Sequence, residues 1–279
     1  MSQSISILGC GWLGLPLGEF LSKKGLVIKG STTKAEKLET LQSAGIEPFI
    51  LNLNPNLEGE RISQFFDSEI LIINIPPRIR LNKTDAHIEQ IKSLIEPIKQ
   101  SKIKQLIYVS STSVYPELNR EVFEEDVTTP ENSGSPVLVT AENILLDNFE
   151  NVVILRCGGL MGYDRIPAKY FAGWKGLTTG YTPVNYIHRD DVVMIIDKII
   201  SMGLERGIFN AVSPIHPTRK EIYEKICETM PFEKAEFVEP TEPQPYKIIN
   251  SDKLIKTLDY EFIFPNPLDY TYQIIEKGA

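Results

Sequence analysis

The sequence predicts an α/β protein with a doubly wound, mostly parallel sheet and a small C-terminal mixed lobe. Three observations carry the prediction. Short apolar runs alternate with segments of helical periodicity, as βαβ crossovers require. The first apolar run ends in a glycine-rich turn that opens directly into a helical pattern. The regular alternation breaks at 158–183 and again beyond 213, where Gly, Pro and aromatic residues crowd short elements.

The turn lies in Ile5-Ser6-Ile7-Leu8-Gly9-Cys10-Gly11-Trp12-Leu13-Gly14. Leu13, Leu17, Phe20 and Leu21 then recur at helical spacing. Gly9, Gly11 and Gly14 fit the G-x-G-x-x-G pattern of a Rossmann-type dinucleotide site. Gly9 would make the tight turn, Gly11 would let a pyrophosphate approach the backbone, and Gly14 would let helix and strand pack closely. N–H groups at the helix start would face the phosphates. The alternative is a tight strand-to-helix turn with no ligand. Cys10 reads as a small filler in this turn, with a reactive thiol as the alternative.

The second strand is Leu26 to Gly30, and Ser31-Thr32-Thr33-Lys34 opens the helix that follows. An NAD site carries an acidic residue about here to hold the ribose 2′-hydroxyl. This chain has hydroxyls and a lysine, which would hold a 2′-phosphate, so the expected cofactor is NADP rather than NAD. Lys34 as a solvated helix-start residue is the alternative. Phe49 to Leu53 reads as the third strand and ends at Asn52 and Leu53. Ile70 to Ile75 is the fourth, stopped by Pro76 and Pro77. Asn74, Ile75 and Pro76 are therefore expected in the ligand crevice, where strand ends gather.

Ile88, Ile91, Leu94, Ile95 and Ile98 mark an amphipathic helix. Leu106 to Val109 is the fifth strand and runs into Ser110-Ser111-Thr112-Ser113-Val114-Tyr115. The acidic stretch from Glu117 to Pro136 is expected as a long loop over the site. A helix follows from about Val139 to Phe149, then the strand Val152 to Arg156. A helix from Asp190 and a strand over Gly207 to Val212 complete the regular part. Residues 1–157 and 184–213 thus form the expected Rossmann domain, and 158–183 with 214–279 the expected small substrate lobe.

The bulk numbers exclude several classes. The 279 residues are 42% apolar and 24% charged, an ordinary globular composition. A net charge of −8 argues against a nucleic-acid surface, which needs clustered Lys and Arg. No apolar run is long enough to span a bilayer, and no basic-then-apolar leader precedes the first strand. Cys10, Cys157 and Cys227 are far apart and lack metal-ligand spacing, so no metal is expected and a cytoplasmic location is.

Four further stretches resemble the extended branch of the short-chain dehydrogenase/reductase superfamily, the NAD(P)-dependent sugar epimerases and dehydratases. They are Tyr108 to Tyr115 (YVSSTSVY), Leu155 to Gly162 (LRCGGLMG), Val184 to Asp191 (VNYIHRDD) and Gly207 to Val212 (GIFNAV). The likeness covers nearly the whole chain. It implies that Gly9 to Gly14, Ser31 to Lys34, Asn52, Leu53, Asn74 to Pro76, Ser110, Ser111 and Gly158 line the cofactor. It implies a catalytic hydroxyl at Ser111, with Thr112, Ser113, Arg165 and Asn185 toward the substrate, a nucleotide sugar or similar polar metabolite; the alternatives are a strand-end Ser111 that satisfies backbone groups and a solvated loop arginine at Arg165. Asn185 and His188 belong to a stretch that is structural in the superfamily, so Asn185 stands open between the two roles. Asp190 or Asp191 would cap the following helix. A homodimer is a family expectation.

The family's Tyr-x-x-x-Lys pair is missing. Counting back from Glu142 puts the Tyr position on Gly134 and the Lys position on Leu138. The chain therefore resembles an atypical subgroup that keeps the cofactor fold and loses this pair. Tyr115, Tyr163 and Tyr186 are alternative phenols, each also readable as a packed aromatic; Tyr163 is the stronger candidate because the sixth-strand loop passes close to the nicotinamide in the family. Two functions follow as expectations: an NADP-dependent oxidoreductase or epimerase-like enzyme, or a non-catalytic NADP(H)-binding sensor or partner-binding protein.

Overall fold

The structure is a computed structural model that describes residues 3–77 and 86–274. The fold is built on strands buried from both sides. Ile70-Leu71-Ile72-Ile73 is the simplest case: all four side chains are buried. Ile70 and Ile72 enter the core on one face of the sheet, Leu71 and Ile73 the core on the other. That is how a parallel sheet covered by helices on both faces must read.

In chain order the elements are β1 (Ser4–Leu8), α1 (Gly14–Lys23), β2 (Val27–Thr32), α2 (Leu38–Ser43), β3 (Glu47–Leu53), β4 (Leu57–Gly59), α3 (Ile62–Phe66) and β5 (Ile70–Ile73). Then come α4 (Ala86–Lys99), β6 (Gln105–Ser111), β7 (Glu121–Val122), α5 (Pro136–Asn148), β8 (Val152–Cys157) and β9 (Gly159–Met161). The last are β10 (Tyr186–His188), α6 (Arg189–Met202), β11 (Gly207–Ala211), α7 (Arg219–Thr229), β12 (Ile248–Ile249) and α8 (Asp252–Leu258).

The main sheet has eight strands in the order β11-β8-β6-β5-β1-β2-β3-β4. Pairing is parallel except at the edge, where β4 runs antiparallel to β3. From β1 the chain winds one way through β2 and β3, then returns and winds the other way through β5, β6, β8 and β11. The reversal falls between β1 and β5, the switch point at which doubly wound sheets open a crevice beyond their strand ends. The glycine turn follows β1 and Asn74-Ile75-Pro76 follows β5, so both flank that point.

One face of the sheet packs on Leu13, just ahead of α1, Leu17 and Leu21 of α1, Leu41 of α2, and Ile195, Ile196 and Ile199 of α6. The other packs on Phe65 and Phe66 of α3, Ile91, Leu94 and Ile98 of α4, and Leu145 of α5. Each such side chain contributes about 1.5–3 kcal/mol by leaving water.

Segments 158–183 and 214–237 share a smaller core of Ile166, Ala168, Ile222, Tyr223 and Ile226, with Phe171 and Phe237 packed against it. Leu268 and Tyr272 of the tail also pack on it, whereas the chain between leaves it. Leu254, Leu258 and Phe262 return to the main core beside α6.

Several elements differ from the sequence reading. The helix expected from Val139 begins at Pro136, because proline at the first helical position loses no needed N–H and has its φ preset. The edge strand β4 was not expected; its three residues are too short to show a period. The expected loop 117–136 carries β7, which pairs with β12 of the tail. The expected cap of α6 by Asp190 or Asp191 is not made. His188 caps it instead, its Nδ1 accepting from the Asp190 N–H at 3.3 Å. The Asp191 carboxylate accepts from the Tyr260 hydroxyl and the Ile263 and Phe264 N–H groups, tying the tail to α6.

Candidate cofactor and substrate crevice

The three glycines of the turn have separate tasks. Gly9 has φ +105, and a Cβ there would stand 2.4 Å from the Asn74 carbonyl oxygen. A Cβ on Gly14 would stand 2.3 Å from the Gly9 carbonyl oxygen, so the helix can start this close only with glycine there. A Cβ on Gly11 would meet nothing within 4 Å. Gly9 and Gly14 are thus needed for packing, whereas Gly11 borders open space.

The turn is braced from both neighbours. The Gly9 N–H donates to the Ser31 hydroxyl at 2.9 Å, and the Cys10 N–H to the Ser31 carbonyl at 2.8 Å. Asn74 Nδ2 donates to the Gly9 carbonyl at 2.9 Å. The N–H groups of Trp12 and Leu13, just ahead of α1, have no acceptor among the described residues. Free N–H groups at a helix start are an anion seat. An open Gly11 beside such donors fits a dinucleotide pyrophosphate. Cys10 is buried, and burial pushes its thiol up to about 12, which makes it an inert filler.

Ser31 and Thr32 are buried at the end of β2, while Thr33 and Lys34 are exposed at the rim. The Ser31 hydroxyl serves the turn, as above. Thr32 Oγ1 accepts from the Lys34 N–H at 3.2 Å. Lys34 Nζ lies 3.4 Å from the Glu36 carboxylate, a nearby acid the sequence reading did not weigh. Asn52 and Leu53 close β3 against β4, and the Leu53 carbonyl accepts from Gln90 at 2.8 Å.

At the end of β6, Ser111 is half-buried and its hydroxyl donates to Ser113 Oγ at 3.0 Å. Thr112 is buried and Ser113 exposed. Ser110 points the other way and donates to Glu142 of α5. Glu142 also pairs with Arg156 of β8 at 2.7 Å, and both side chains are only 1% exposed. A buried guanidinium needs all five donors met. Arg156 meets them with Glu142, the Tyr115 hydroxyl, and the Glu124 and Val127 carbonyls. This network seats the 117–136 loop on the strand ends. Tyr115, buried and further bonded to Asn210 at 2.7 Å, has its phenol pushed up to about 12 by burial.

Gly134 and Leu138 lie against the same wall. The Gly134 N–H donates to the Val114 carbonyl at 2.8 Å, and a Cβ there would stand 2.7 Å from the Tyr115 carbonyl oxygen. Leu138 is buried with Val114, Tyr115 and Val127. Lys247, from the tail, donates to the Tyr115 carbonyl at 2.6 Å and lies 3.2 Å from Glu117. Nothing in the local sequence around Lys247 signals that placement.

From the lobe side, Gly158 sits against the Asn185 carbonyl, where a Cβ would approach to 2.6 Å. Asn185 spends both ends of its amide on backbone: Nδ2 donates to the Lys247 carbonyl at 2.9 Å and Oδ1 accepts from the Ile249 N–H at 2.8 Å. Its side chain thus anchors the tail. The Tyr163 hydroxyl donates to Asp190 at 2.7 Å, and burial raises its pKa. His188 is buried among Tyr163, Phe264 and Tyr270, and burial lowers its pKa. Trp12 of the turn reaches this side as well. Its Nε1 donates to Asp164 at 2.6 Å, and the Arg165 guanidinium carbon lies 4.1 Å from its ring centre. The structure thus joins the glycine turn to the β9 loop, a link between distant segments that local patterns do not reveal.

No protein-family model matches the chain. Over 270 residues it is 29% identical to Protein YeeZ of Escherichia coli (strain K12), covering 95% of this chain and 98% of that one. Among solved structures, UDP-N-acetylglucosamine 4-epimerase from Bacillus cereus superposes with a TM-score of 0.75 at 14% identity, over 96% of this chain and 94% of that one. The Bordetella bronchiseptica enzyme WbmG, in complex with NAD, superposes with a TM-score of 0.76 at 17% identity, over 96% and 91%. At these identities the superpositions establish a shared fold.

Proposed function

We propose that this chain, which has the fold of the epimerase/dehydratase-like short-chain dehydrogenases/reductases, binds NADP(H) in the crevice beyond β1 and β5 and acts there on a nucleotide sugar or similar polar metabolite. One observation carries the cofactor part: Gly11 borders open space while the Trp12 and Leu13 N–H groups beside it have no protein acceptor. A pyrophosphate would be held by those groups and by the start of α1. WbmG, of the same fold, holds NAD. Thr33 and Lys34 at the rim would hold a 2′-phosphate, which favours NADP over NAD. The sugar-nucleotide part rests on the likeness to the Bacillus cereus epimerase.

When bound, the nicotinamide supplies a hydride donor or acceptor. Ser111, half-buried at the β6 end, would hydrogen-bond a substrate oxygen. Tyr163 is the candidate phenol for proton transfer, its hydroxyl oriented by the hydrogen bond to Asp190.

The test is calorimetric titration of NADP⁺ and NAD⁺ into the protein, followed by turnover assays with a panel of UDP- and dTDP-sugars. Tighter NADP⁺ binding with turnover supports the reading. Equal or no binding of the two dinucleotides counts against it.

A second reading has its own observation. Gly134 is pressed on the Tyr115 carbonyl and Leu138 is buried in apolar surroundings, at the positions where the family resemblance expects Tyr and Lys. A chain without that pair would serve as an NADP(H)-binding sensor or partner-binding protein. That version predicts unequal affinities for NADP⁺ and NADPH and no turnover; equal affinities would sink it.

A further inference from the structure

Four of the seven described arginines have carboxylate or carbonyl acceptors. Arg61 pairs with Glu47, Arg120 with Asp126, and Arg156 with Glu142. Arg206 donates to the carbonyls of Leu146, Phe149 and Glu150. The other described arginines are Arg165, Arg189 and Arg219: Arg189 and Arg219 face the Tyr163 and Tyr186 phenols, and none of the three has a carboxylate hydrogen bond. Their nearest carboxylate contact within 4 Å is a single one, Arg189 Nε to Asp190 at 3.7 Å, too long for a hydrogen bond.

Two of these unmatched arginines meet on one ring. The guanidinium carbons of Arg165 and Arg189 lie 4.1 and 5.0 Å from the centre of Trp12. Arg189 also lies 3.7 Å from the centre of Tyr163. Both side chains are largely withdrawn from water, and Arg189 Nε is buried with no partner. Burial disfavours the Arg165 charge; Tyr170 and Asp164 offset this in part, and the neighbouring Arg189 charge adds to it. The two acids nearby are already engaged: Asp164 accepts from Trp12 Nε1 and Asp190 from the Tyr163 hydroxyl. Two like-charged forks are thus held together with no carboxylate hydrogen bond between them and either acid, and with Arg189 Nε unpartnered.

We propose that Arg165 and Arg189 form a clamp, built on the indole of Trp12, that grips a phosphate group of the substrate beside the dinucleotide. The proposal rests on the crevice assignment above and names the charge its substrate carries. A phosphate fits better than a single carboxylate because several oxygens can accept from two guanidiniums at once. The pyrophosphate of the dinucleotide has its own donors in the backbone of the turn, which leaves the two guanidiniums for a second anion.

The test uses the full chain carrying Trp174→Phe, which leaves Trp12 as the single tryptophan; Trp174 is exposed. Inorganic phosphate and pyrophosphate are titrated into this protein saturated with NADP⁺, with Trp12 fluorescence and calorimetry as readouts. Saturable binding is expected. Arg165→Gln with Arg189→Gln should weaken it at least tenfold, and NADP⁺ affinity should stay within twofold. Lys102→Gln, a charge loss at an exposed lysine, should leave both unchanged. If the double Gln variant does not fold, Arg165→Lys with Arg189→Lys keeps the charges and loses the forks, and several-fold weaker phosphate binding is then expected. Three results overturn the proposal: no phosphate binding by the wild type, binding unchanged in the variants, or phosphate and NADP⁺ affinity falling together. If the wild type binds no NADP⁺, the cofactor reading fails, and the same phosphate titration on the protein alone decides the clamp.

Discussion

Asn74 reaches across the sheet's switch point to Gly9: its Nδ2 donates to the Gly9 carbonyl at 2.9 Å, and its own carbonyl oxygen fills the place a Gly9 Cβ would need. The glycine turn is therefore held by the strand on its far side in sequence. This separates Gly9 and Gly14, which packing requires, from Gly11, which borders open space.

Gly9→Ala should destabilise the protein by about 2 kcal/mol or more, since it combines φ +105 with a 2.4 Å contact to backbone. Gly11→Ala should leave stability within ~1 kcal/mol, because nothing stands within 4 Å. It should nonetheless weaken NADP⁺ binding roughly tenfold, or ~1.4 kcal/mol. Urea unfolding and calorimetry on the two variants read these outcomes separately. Equal loss of stability in both would contradict the division of tasks.

Lys34→Asp should lower NADP⁺ affinity about tenfold and leave NAD⁺ affinity nearly unchanged, since it places a carboxylate where a 2′-phosphate would lie. Lys34 is exposed and bonded only loosely to Glu36, so the fold should tolerate the change. Unchanged NADP⁺ affinity would remove Lys34 from the cofactor site.

The buried pair gives a prediction about stability alone. Glu142→Gln leaves Arg156 charged and enclosed, and about 3–5 kcal/mol should be lost. Glu142→Leu with Arg156→Met should cost less than Glu142→Gln, because no lone charge is left inside. Chemical unfolding of both variants measures the difference. A more stable single variant would mean that the pair does not hold the 117–136 loop.

Much of this architecture was legible in the chain, and the reasons differ by element. Ile70 to Ile73 is apolar on both faces, so its place in a covered parallel sheet could be read locally. Gly9, Gly11 and Gly14 sit at spacings with a known geometry. The contacts that assemble the crevice were not legible. Asn185 looks like a polar cleft residue, yet its amide is used by Lys247 and Ile249, more than sixty residues away. Trp12 meets Asp164, Arg165 and Arg189 only after the β9 loop folds back over the turn. Such pairings depend on tertiary placement, which periodicity does not encode. Ser31 carries the same lesson on a smaller scale. Its hydroxyl, expected at a ligand, also accepts from the Gly9 N–H, a contact that no local pattern announces.

The histidines predict a pH dependence. His87, His188 and His216 are the three histidines of the chain, and burial lowers all three below the ordinary value of 6.5. A depressed folded-state value means that the unfolded chain binds protons first as pH falls. Stability from these groups is therefore full above about 6.5 and is lost as pH drops toward their folded values. Asp191 acts with the opposite sign, since burial raises its carboxyl above 3.8, but its window lies lower. Unfolding free energy from urea titrations should thus fall between pH 7.5 and pH 5.5. The slope is bounded by about 1.4 kcal/mol per pH unit for each histidine. His87→Gln should flatten that slope, because His87 is buried against the Tyr108 hydroxyl at 2.8 Å and its charged form is the one the core excludes. A flat profile in the wild type would show that these imidazoles remain free to protonate in the folded state.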